Sequence, residues 1–559
     1  MLDRVLPTID LDQIADEGAR RAIRGLLNLV EELAAENRRL RADVQRLRDE
    51  NNRLKGEQGR PTITANQPPA AADHSSERER RQPRPRQVSA KLQQVAIDRV
   101  EVLPVDPALL PPDAEFKGHE PVVVQDVVFR TDNVLFQKEK WYSPAEGKTY
   151  LAPLPPGYAG QFGPGLKALT LVFYYVGQMS EPKILEVLRG VGVKLSDGHL
   201  SNLLIKDQTA FHTEKAAVVE AGLRSSPWQH TDDTATRVNG HNQHCHILCH
   251  PLYTAYTTLP SKDRLSVLDV LRNGRPRTYL FNAEALGYLD RVPVAAGTRR
   301  RLLHLPRDTV LDEPTLLRLL DEHLPGLGAQ ARKWVLDALA VAAYHAQAEG
   351  PVVHLLICDD APPFTWLTEA LALCWVHEGR HYKKLAPVLP QHRQALDEFV
   401  TDFWAYYAEL LAYRQQPTPA ERARLDAAFD RLFATETGYW QLDERIASTR
   451  GKKAHLLLVL AHPEIPLHNN PAELGARARV RKRDVSFGPR TAEGARAWDT
   501  FMTLAETAKK LGVSVYHYLH DRVSGTNQLP SLAEVIDDQA HQLNLGASWS
   551  PLSPIPPIC

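Results

Sequence analysis

Long apolar runs are missing from this chain of 559 residues. With no stretch of eighteen or more apolar residues, no transmembrane helix is expected. The opening residues, MLDRVLPTIDLDQIADEGARR, are acidic and polar where a signal peptide would be basic and then apolar. The expected location is therefore the cytoplasm, with no membrane partner. Cysteine is scarce too. Cys245, Cys249, Cys358, Cys374 and Cys559 are too few and too scattered for a disulfide framework, and none is spaced as C-x-x-C, which suits a reducing compartment. A net charge is nearly absent as well, −1 from 67 basic and 68 acidic residues. Evenly spread, that balance would disfavour a nucleic-acid partner, but the charge is segregated. ERERRQPRPRQ, around Glu79 to Gln87, and RARVRKRD, from Arg477 to Asp484, are strongly basic.

What is present is an ordinary globular composition, 43% hydrophobic and 24% charged, in a chain long enough for two to four structural units. Near the amino terminus Leu26, Leu33, Leu40, Leu47 and Leu54 recur every seven residues, with Ile23, Val30, Asn37, Val44 and Asn51 three before each. Leucine at one core position, with β-branched residues and asparagines at the other, favours two parallel strands, because buried asparagines pair in one register only. Residues 1–57 are thus expected to form a leucine-zipper coiled coil and a homodimer. Residues 58–100, rich in Pro, Gly and charge, read as a flexible basic linker. Residues 101–163 carry short β-like runs broken by prolines and read as a small β-rich module. Residues 164–222 read as helices, two of them opened by Ser180 and Ser196. The short turn between the last two suggests a helix-turn-helix presenting His199, Ser201, Asn202 and Lys206 to DNA, although a plain three-helix core fits the same pattern.

The chemistry lies beyond residue 222. SPWQHTDDTATRVNGHNQHCHILCHPLYTAYTTLP predicts a meander of three strands. Its His/Cys density invites a metal site, but Cys245 and Cys249 on one strand face would be about 13 Å apart, too far to chelate one ion. PVVHLLICDD predicts a buried strand ending in two acids, followed by an amphipathic helix containing CWVHEGRHYKKL. That helix holds His377-Glu378-x-x-His381, a zinc metallopeptidase pattern in which the histidines share the metal and the glutamate is the general base. Such a five-residue pattern also arises by chance in a long chain. Last comes LHNNPAELGARARVRKRD, where Asn470 can cap a helix, Pro471 stands at its first position and Glu473 at its third. The stretches at about 272–350 and 388–450 read as helical insertions. Residues 491–559 read as one helix and a tail, the tail taking up the final forty or so residues.

Three acids stand out by position: one in the first strand of the meander, one at the end of a later strand and one at the start of a later helix. This order suits a ribonuclease-H-like fold, in which carboxylates converge on two divalent metals. Each acid also has a plain structural reading. Asp232 or Asp233 could form a turn, Asp359 or Asp360 could cap a helix, and Glu473 could close a capping box with Asn470. Only one member of the Asp232/Asp233 pair can reach a common site, because successive strand side chains point to opposite faces.

TDDTATRVNG, LLICDDAPPF, CWVHEGRHYKKL and HNNPAELGARARVRKRDVSFGPRTAEGARAW, in this order behind a leucine zipper, resemble the DDE transposases of the insertion sequence sixty-six family. The resemblance covers most of the chain. It implies a multidomain α+β and α/β protein with a ribonuclease-H-like catalytic domain over 223–490. It assigns the catalytic, metal-holding acids to Asp232, Asp359 and Glu473. It further implies cleavage and transfer of DNA strands with Mg2+ or Mn2+, at element ends and target DNA, close to the bacterial nucleoid. Arg477, Arg479, Arg481, Lys482 and Arg483 would then hold phosphates near the site. The family carries Cys-Trp-x-His at this place, so His377 belongs to its pattern, while Glu378 and His381 are incidental to it. Departures are visible. No cysteine precedes Cys245, so no structural zinc is expected. Leu474 replaces an arginine, and Asp360 replaces a glycine. A catalytically inactive, transposon-derived DNA-binding protein is the alternative.

Overall fold

The computed structural model describes residues 11–55, 95–158, 160–546 and 548–549. Most of the expected basic linker, with the run around Glu79 to Gln87, and Cys559 lie outside them. Among the described residues no helix is long and apolar enough to cross a membrane.

Glu17–Leu54 forms one uninterrupted helix, α1. No proline breaks it, and it is rich in Leu, Ala, Glu and Arg, which are strong helix formers. Leu26, Leu33, Leu40, Leu47 and Leu54 all lie exposed along it. A neighbouring stripe is buried on the rest of the chain. The Asn28 amide donates to the Gly438 carbonyl at 3.0 Å, and its oxygen accepts from the Trp440 backbone at 2.9 Å. Glu31 accepts from the Val388 and Leu389 N–H groups at 2.9 and 2.8 Å, just before a later helix begins. Burial favours the neutral acid, but bonds from His392 and those two amides hold its carboxyl below the usual range. The helix is therefore tied to the body.

The β-rich expectation for 101–163 is corrected. Among its described residues there is one hairpin, β1 (Lys140–Ser143) with β2 (Lys148–Leu151), and a single 3-10 turn, Pro107–Leu109. Val122, Val124, Val127 and Val128 lie fully open with no surface to pack on, so their β-propensity is not realised. The next four helices are α2 (Pro164–Leu171), α3 (Glu181–Gly190), α4 (Asp197–Ile205) and α5 (Thr209–Arg224). Ser196 caps α4 by accepting from the His199 N–H, whereas the Ser180 side chain makes no such bond.

The meander forms as its sequence predicts: β3 (Trp228–Val238), β4 (His241–His250) and β5 (Tyr253–Leu259), all antiparallel. Two parallel strands, β8 (Leu355–Cys358) and β9 (Ala370–Leu373), extend the sheet on the other side of β3, giving the order β5-β4-β3-β8-β9. β9 lies where the sequence suggested only helix. Between β5 and β8 come α6 (Arg264–Leu271), α7 (Ala283–Asp290), α8 (Ala296–Leu302), α9 (Glu313–His323) and the buried α10 (Ala329–His345). A short antiparallel pair, β6 (Thr278–Leu280) with β7 (Val310–Asp312), interrupts that helical expectation. After β9 follow α11 (Trp375–Lys383), α12 (Pro390–Gln415), α13 (Pro419–Leu432), α14 (Trp440–Gly451) and α15 (Lys453–Leu456).

The last elements are α16 (Asn470–Ser486), α17 (Ala492–Lys510), α18 (Val515–Ser524) and α19 (Leu532–Leu543). The tail expected over the last forty or so residues is thus corrected as far as the structure describes them. α19 forms because Ser531 and Glu534 close a capping box and because Leu532 and Ile536 are buried. α17 covers the open edge of the sheet. Asp499, Thr503 and Thr507, four residues apart, accept from the Thr258, Tyr256 and Thr254 N–H groups at 2.7, 3.0 and 3.3 Å. An edge strand that would otherwise offer free donors is closed by one helix face.

Candidate active site

Asp232 and Asp359 sit where two parallel strands part. β3 and β8 pair from Trp228 opposite Leu355 to His230 opposite Ile357, after which β8 ends at Cys358 and β3 continues to Val238. Side chains two apart on a strand share a face, so Asp232 lies on the His230 side of β3, and Asp359 stands one residue past the end of β8, near enough for its charge to act on Asp232. α16 packs on that face. A Cβ on Gly475 would come within 2.9 Å of Ile247, the cross-strand partner of Asp232, so glycine permits the close approach. Asp233 points the other way, 3.7 Å from His244 and 3.8 Å from Lys262. Asp232, on the opposite face of β3, is the member of the pair on the side where α16 packs.

Asn469 registers α16 against β3. Its Oδ1 lies 3.0 Å from His230 Nδ1, its amide donates to the Thr231 carbonyl at 2.8 Å, and its own N–H meets Cys374 Sγ at 3.2 Å. Asn470 is the first residue of the helix, not its cap, so the capping-box reading of Glu473 is corrected. The Glu473 carboxylate instead accepts from Arg380 at 2.9 Å and Arg477 at 3.2 Å, with His377 Nδ1 at 3.6 Å. That Nδ1 is buried without a hydrogen-bond partner.

The electrostatics place an excess of negative charge at Asp232. Burial first, then the charges of Asp359, Asp233 and Glu473, push its carboxyl up to about 7, against a 2.8 Å bond from the Asp233 N–H that pulls the other way. Acids from three distant parts of the chain therefore act on one another here. A surplus of carboxylate oxygen with an unpartnered imidazole nitrogen beside it is a donor set that fits a hard divalent cation.

The zincin pattern does not assemble. Glu378 is buried, and its oxygens accept from Thr449 at 2.6 Å, Lys452 at 3.0 Å and Arg445. Despite burial, these partners hold its carboxyl below the usual range, leaving no free general base. Asp360, Glu378 and His381 do bring ligand atoms within 4.8 Å of one another. The Lys452 ammonium, 2.6 Å from Asp360 and 3.0 Å from Glu378, and the Arg445 guanidinium on Glu378 already balance the two carboxylates, and His377 turns to Glu473 instead. Two histidines of β4 are also spoken for, His246 by the Ser261 carbonyl at 3.0 Å and His250 by the Gly222 carbonyl at 2.9 Å.

Of the five basic residues expected to hold phosphates, two are corrected. Arg479 is buried, bonded to Thr258 at 2.9 Å, 3.2 Å from Asp499 and stacked over Trp498. Lys482 is buried 3.1 Å from the centre of the Tyr174 ring, and burial pushes its amine down to about 7. Helical periodicity turns both inward, while Arg477 and Arg481, one turn apart, stay exposed. Arg483 donates to the Ala235 carbonyl. Asn202 on α4 and Lys206 just past its end are exposed, and His199 packs edge-on against Phe162. Sequence reasoning missed Asn469 and Arg380. The Asn-Asn doublet before Pro471 was the available signal for the first, and nothing local marked the second.

Residues 344–497 match the profile of the transposase IS66 family, a stretch that holds Asp359 and Glu473 and begins after Asp232. The chain is also 34% identical over 316 residues to the uncharacterized protein y4jO of Sinorhizobium fredii (strain NBRC 101917 / NGR234), an alignment that spans 55% of this chain and 94% of that protein. With the acids, the Cys374-Trp375-x-His377 turn and the Asn469-led helix in place, the chain belongs to the IS66 transposase family.

Proposed function

We propose that this transposase-family chain cuts DNA at the ends of an insertion element and joins the freed strand to target DNA, with Asp232, Asp359 and Glu473 as its DDE acids. The observation that carries the proposal is the Asp232 carboxyl, pushed up to about 7 by burial and by Asp359, Asp233 and Glu473. The sheet order, three antiparallel strands followed by two parallel to the first, supports a ribonuclease-H-like reading of the body. Asp232, Asp359 and Glu473 would hold magnesium or manganese, with the unpartnered His377 Nδ1 beside Glu473 as a further donor. Bound there, the metal would lower the pKa of the attacking water or hydroxyl and stabilise the leaving oxygen.

The remaining roles belong to the protein. Arg380 and Arg477 fix the Glu473 carboxylate in rotamer and direction. Asn469 sets the height of α16 over β3, so that Glu473 stays in reach of the strand acids. Arg477 and Arg481 offer charge outward along one side of α16 for backbone phosphates. α3 and α4 form the DNA-binding helix pair, reading through Asn202 and Lys206. The exposed leucines of α1 pair with those of a second copy, bringing two element ends together.

The test is nicking of labelled element-end DNA with magnesium. Asp232→Asn, Asp359→Asn and Glu473→Gln should each abolish it while DNA binding persists, because the lost oxygen holds metal rather than DNA. Nicking that survives in all three variants overturns the assignment. A parent protein that binds the ends and never cuts them establishes the inactive DNA-binding alternative.

A further inference from the structure

Eleven residues, 359–369, separate β8 from β9, and Asp359 is the first of them. Parallel neighbours are ordinarily joined by a crossover of a dozen or more residues containing a helix. This connection has only the 3-10 turn Pro362–Phe364 and a tryptophan, Trp366, at φ +70°. A bulky residue in the left-handed region is strained, and persists only where its surroundings over-determine it.

Those surroundings come from outside the sheet. Arg264, the first residue of α6, donates to the Thr365 carbonyl at 2.8 Å, to Thr365 Oγ1 at 2.9 Å and to the Pro362 carbonyl at 3.1 Å. Its guanidinium lies 4.7 Å from the centre of the Trp366 ring and is itself held by the buried Asp337 of α10 at 2.8 Å. The Trp366 ring also stacks on Tyr288 of α7, centroids 5.8 Å apart and planes 20° apart. Tyr288 donates to Glu284 at 2.7 Å. His345 of α10 touches the same carboxylate at 2.6 Å and the Leu367 carbonyl at 3.0 Å.

We propose that the segment at 272–350, with Arg264, is a clamp that positions Asp359. α7 and α10 take the place of the absent crossover helix, and the Arg264, Tyr288 and His345 contacts hold the connection in the one conformation that presents its first residue to Asp232. These are positioning residues, since none touches the reacting atoms. The proposal rests on Asp359 being one of the metal-holding acids.

Two variants test it. Tyr288→Leu removes the stack without leaving a buried charge, and Arg264→Met with Asp337→Leu removes both partners of the buried pair together. Each is measured in the full chain for amide hydrogen exchange in 361–367, for Mn2+ affinity by calorimetry and for nicking at saturating DNA. The clamp predicts exchange in 361–367 faster by about tenfold or more, Mn2+ binding weaker by about tenfold, as for other residues that orient metal ligands, and a lower kcat with KM for DNA unchanged. Tyr288→Phe, which keeps the stack, should restore most of each. Exchange that stays slow overturns the clamp, and fast exchange with unchanged Mn2+ affinity and kcat reduces it to a purely structural brace. Asp359→Asn separates the readings: if that variant still nicks while Tyr288→Leu still frees the connection, the acid assignment fails and the holding contacts stand.

Discussion

Replacing Asp232 with asparagine should make the metal-free protein more stable at pH 8 while abolishing strand cleavage. The Asp232 carboxyl is pushed from 3.8 up to about 7 by burial and by the neighbouring acids. At about 1.4 kcal/mol per pH unit, ionising it in the folded protein costs on the order of 4 kcal/mol relative to the unfolded chain. A raised pKa contributes stability that is fully present below the unfolded value and is lost as pH rises through the folded one. The parent should therefore weaken steadily from about pH 4 to about pH 7 and then level off. Asparagine does not titrate, and its amide oxygen can still accept from the Asp233 N–H. The gain of Asp232→Asn over the parent should be small near pH 4 and reach its full size above pH 7, roughly a 10 °C difference in Tm at 2–4 °C per kcal/mol for a unit of about 200 residues. Thermal melts of both proteins in chelator, from pH 4.5 to 8.5, measure this. Magnesium should narrow the gap by stabilising only the parent. A difference that does not change with pH, or a parent that is more stable at pH 8, refutes the reasoning.

Arg481→Gln should weaken binding to DNA of any sequence and lower its salt slope by about one unit, with the melt unchanged. An unchanged slope makes Arg481 a solvated residue. Arg479→Ala, two residues away in sequence but inward in space, should instead cost about 3–5 kcal/mol of stability by leaving Asp499 buried without its ion pair, so a variant of parental stability would contradict its placement. Leu33→Lys with Leu40→Lys should halve the mass seen by light scattering if exposed α1 leucines join two copies, and an unchanged mass removes the zipper from the account.

The strands of the site were legible because their pattern is local. TDDTATRVNG ends in a turn that closes β3 onto β4, and LLIC is apolar at every position, as a strand covered on both faces must be. The candidate acids were chosen through their order and the family resemblance. α19 was there to be read in Ser531-x-x-Glu534. β9 was hidden because Ala370–Leu373 is a four-residue apolar run that a buried helix would share. The Arg264 clamp was hidden for a different reason: its donors and acceptors lie about 100 residues apart, and nothing in either stretch marks the other. The inward turn of Arg479 and Lys482 could have been suspected, since five basic residues within seven helical positions cannot share one face.

Charge distribution is what separates Asp232 from the other carboxylates around it. Glu378 and Asp360 share Lys452, with Arg445 completing the set, and Glu473 has Arg380 and Arg477. The charges that act most on Asp232 are all negative. A fold under no constraint but stability would have neutralised that position or given it an apolar residue, because a half-buried carboxyl among like charges costs several kcal/mol. Neighbouring sites in the same structure show that lysine and arginine were available at short range. The repulsion at Asp232, only partly offset by the charge of Arg380 and held in place by Asn469 on one side and the connection at 359–369 on the other, is the kind of local cost that fits the proposal of a positive ligand there. The Tyr288→Leu experiment and the Asp232→Asn melt therefore probe one quantity from opposite ends: the first loosens the geometry that forces the charges together, and the second removes one of the charges.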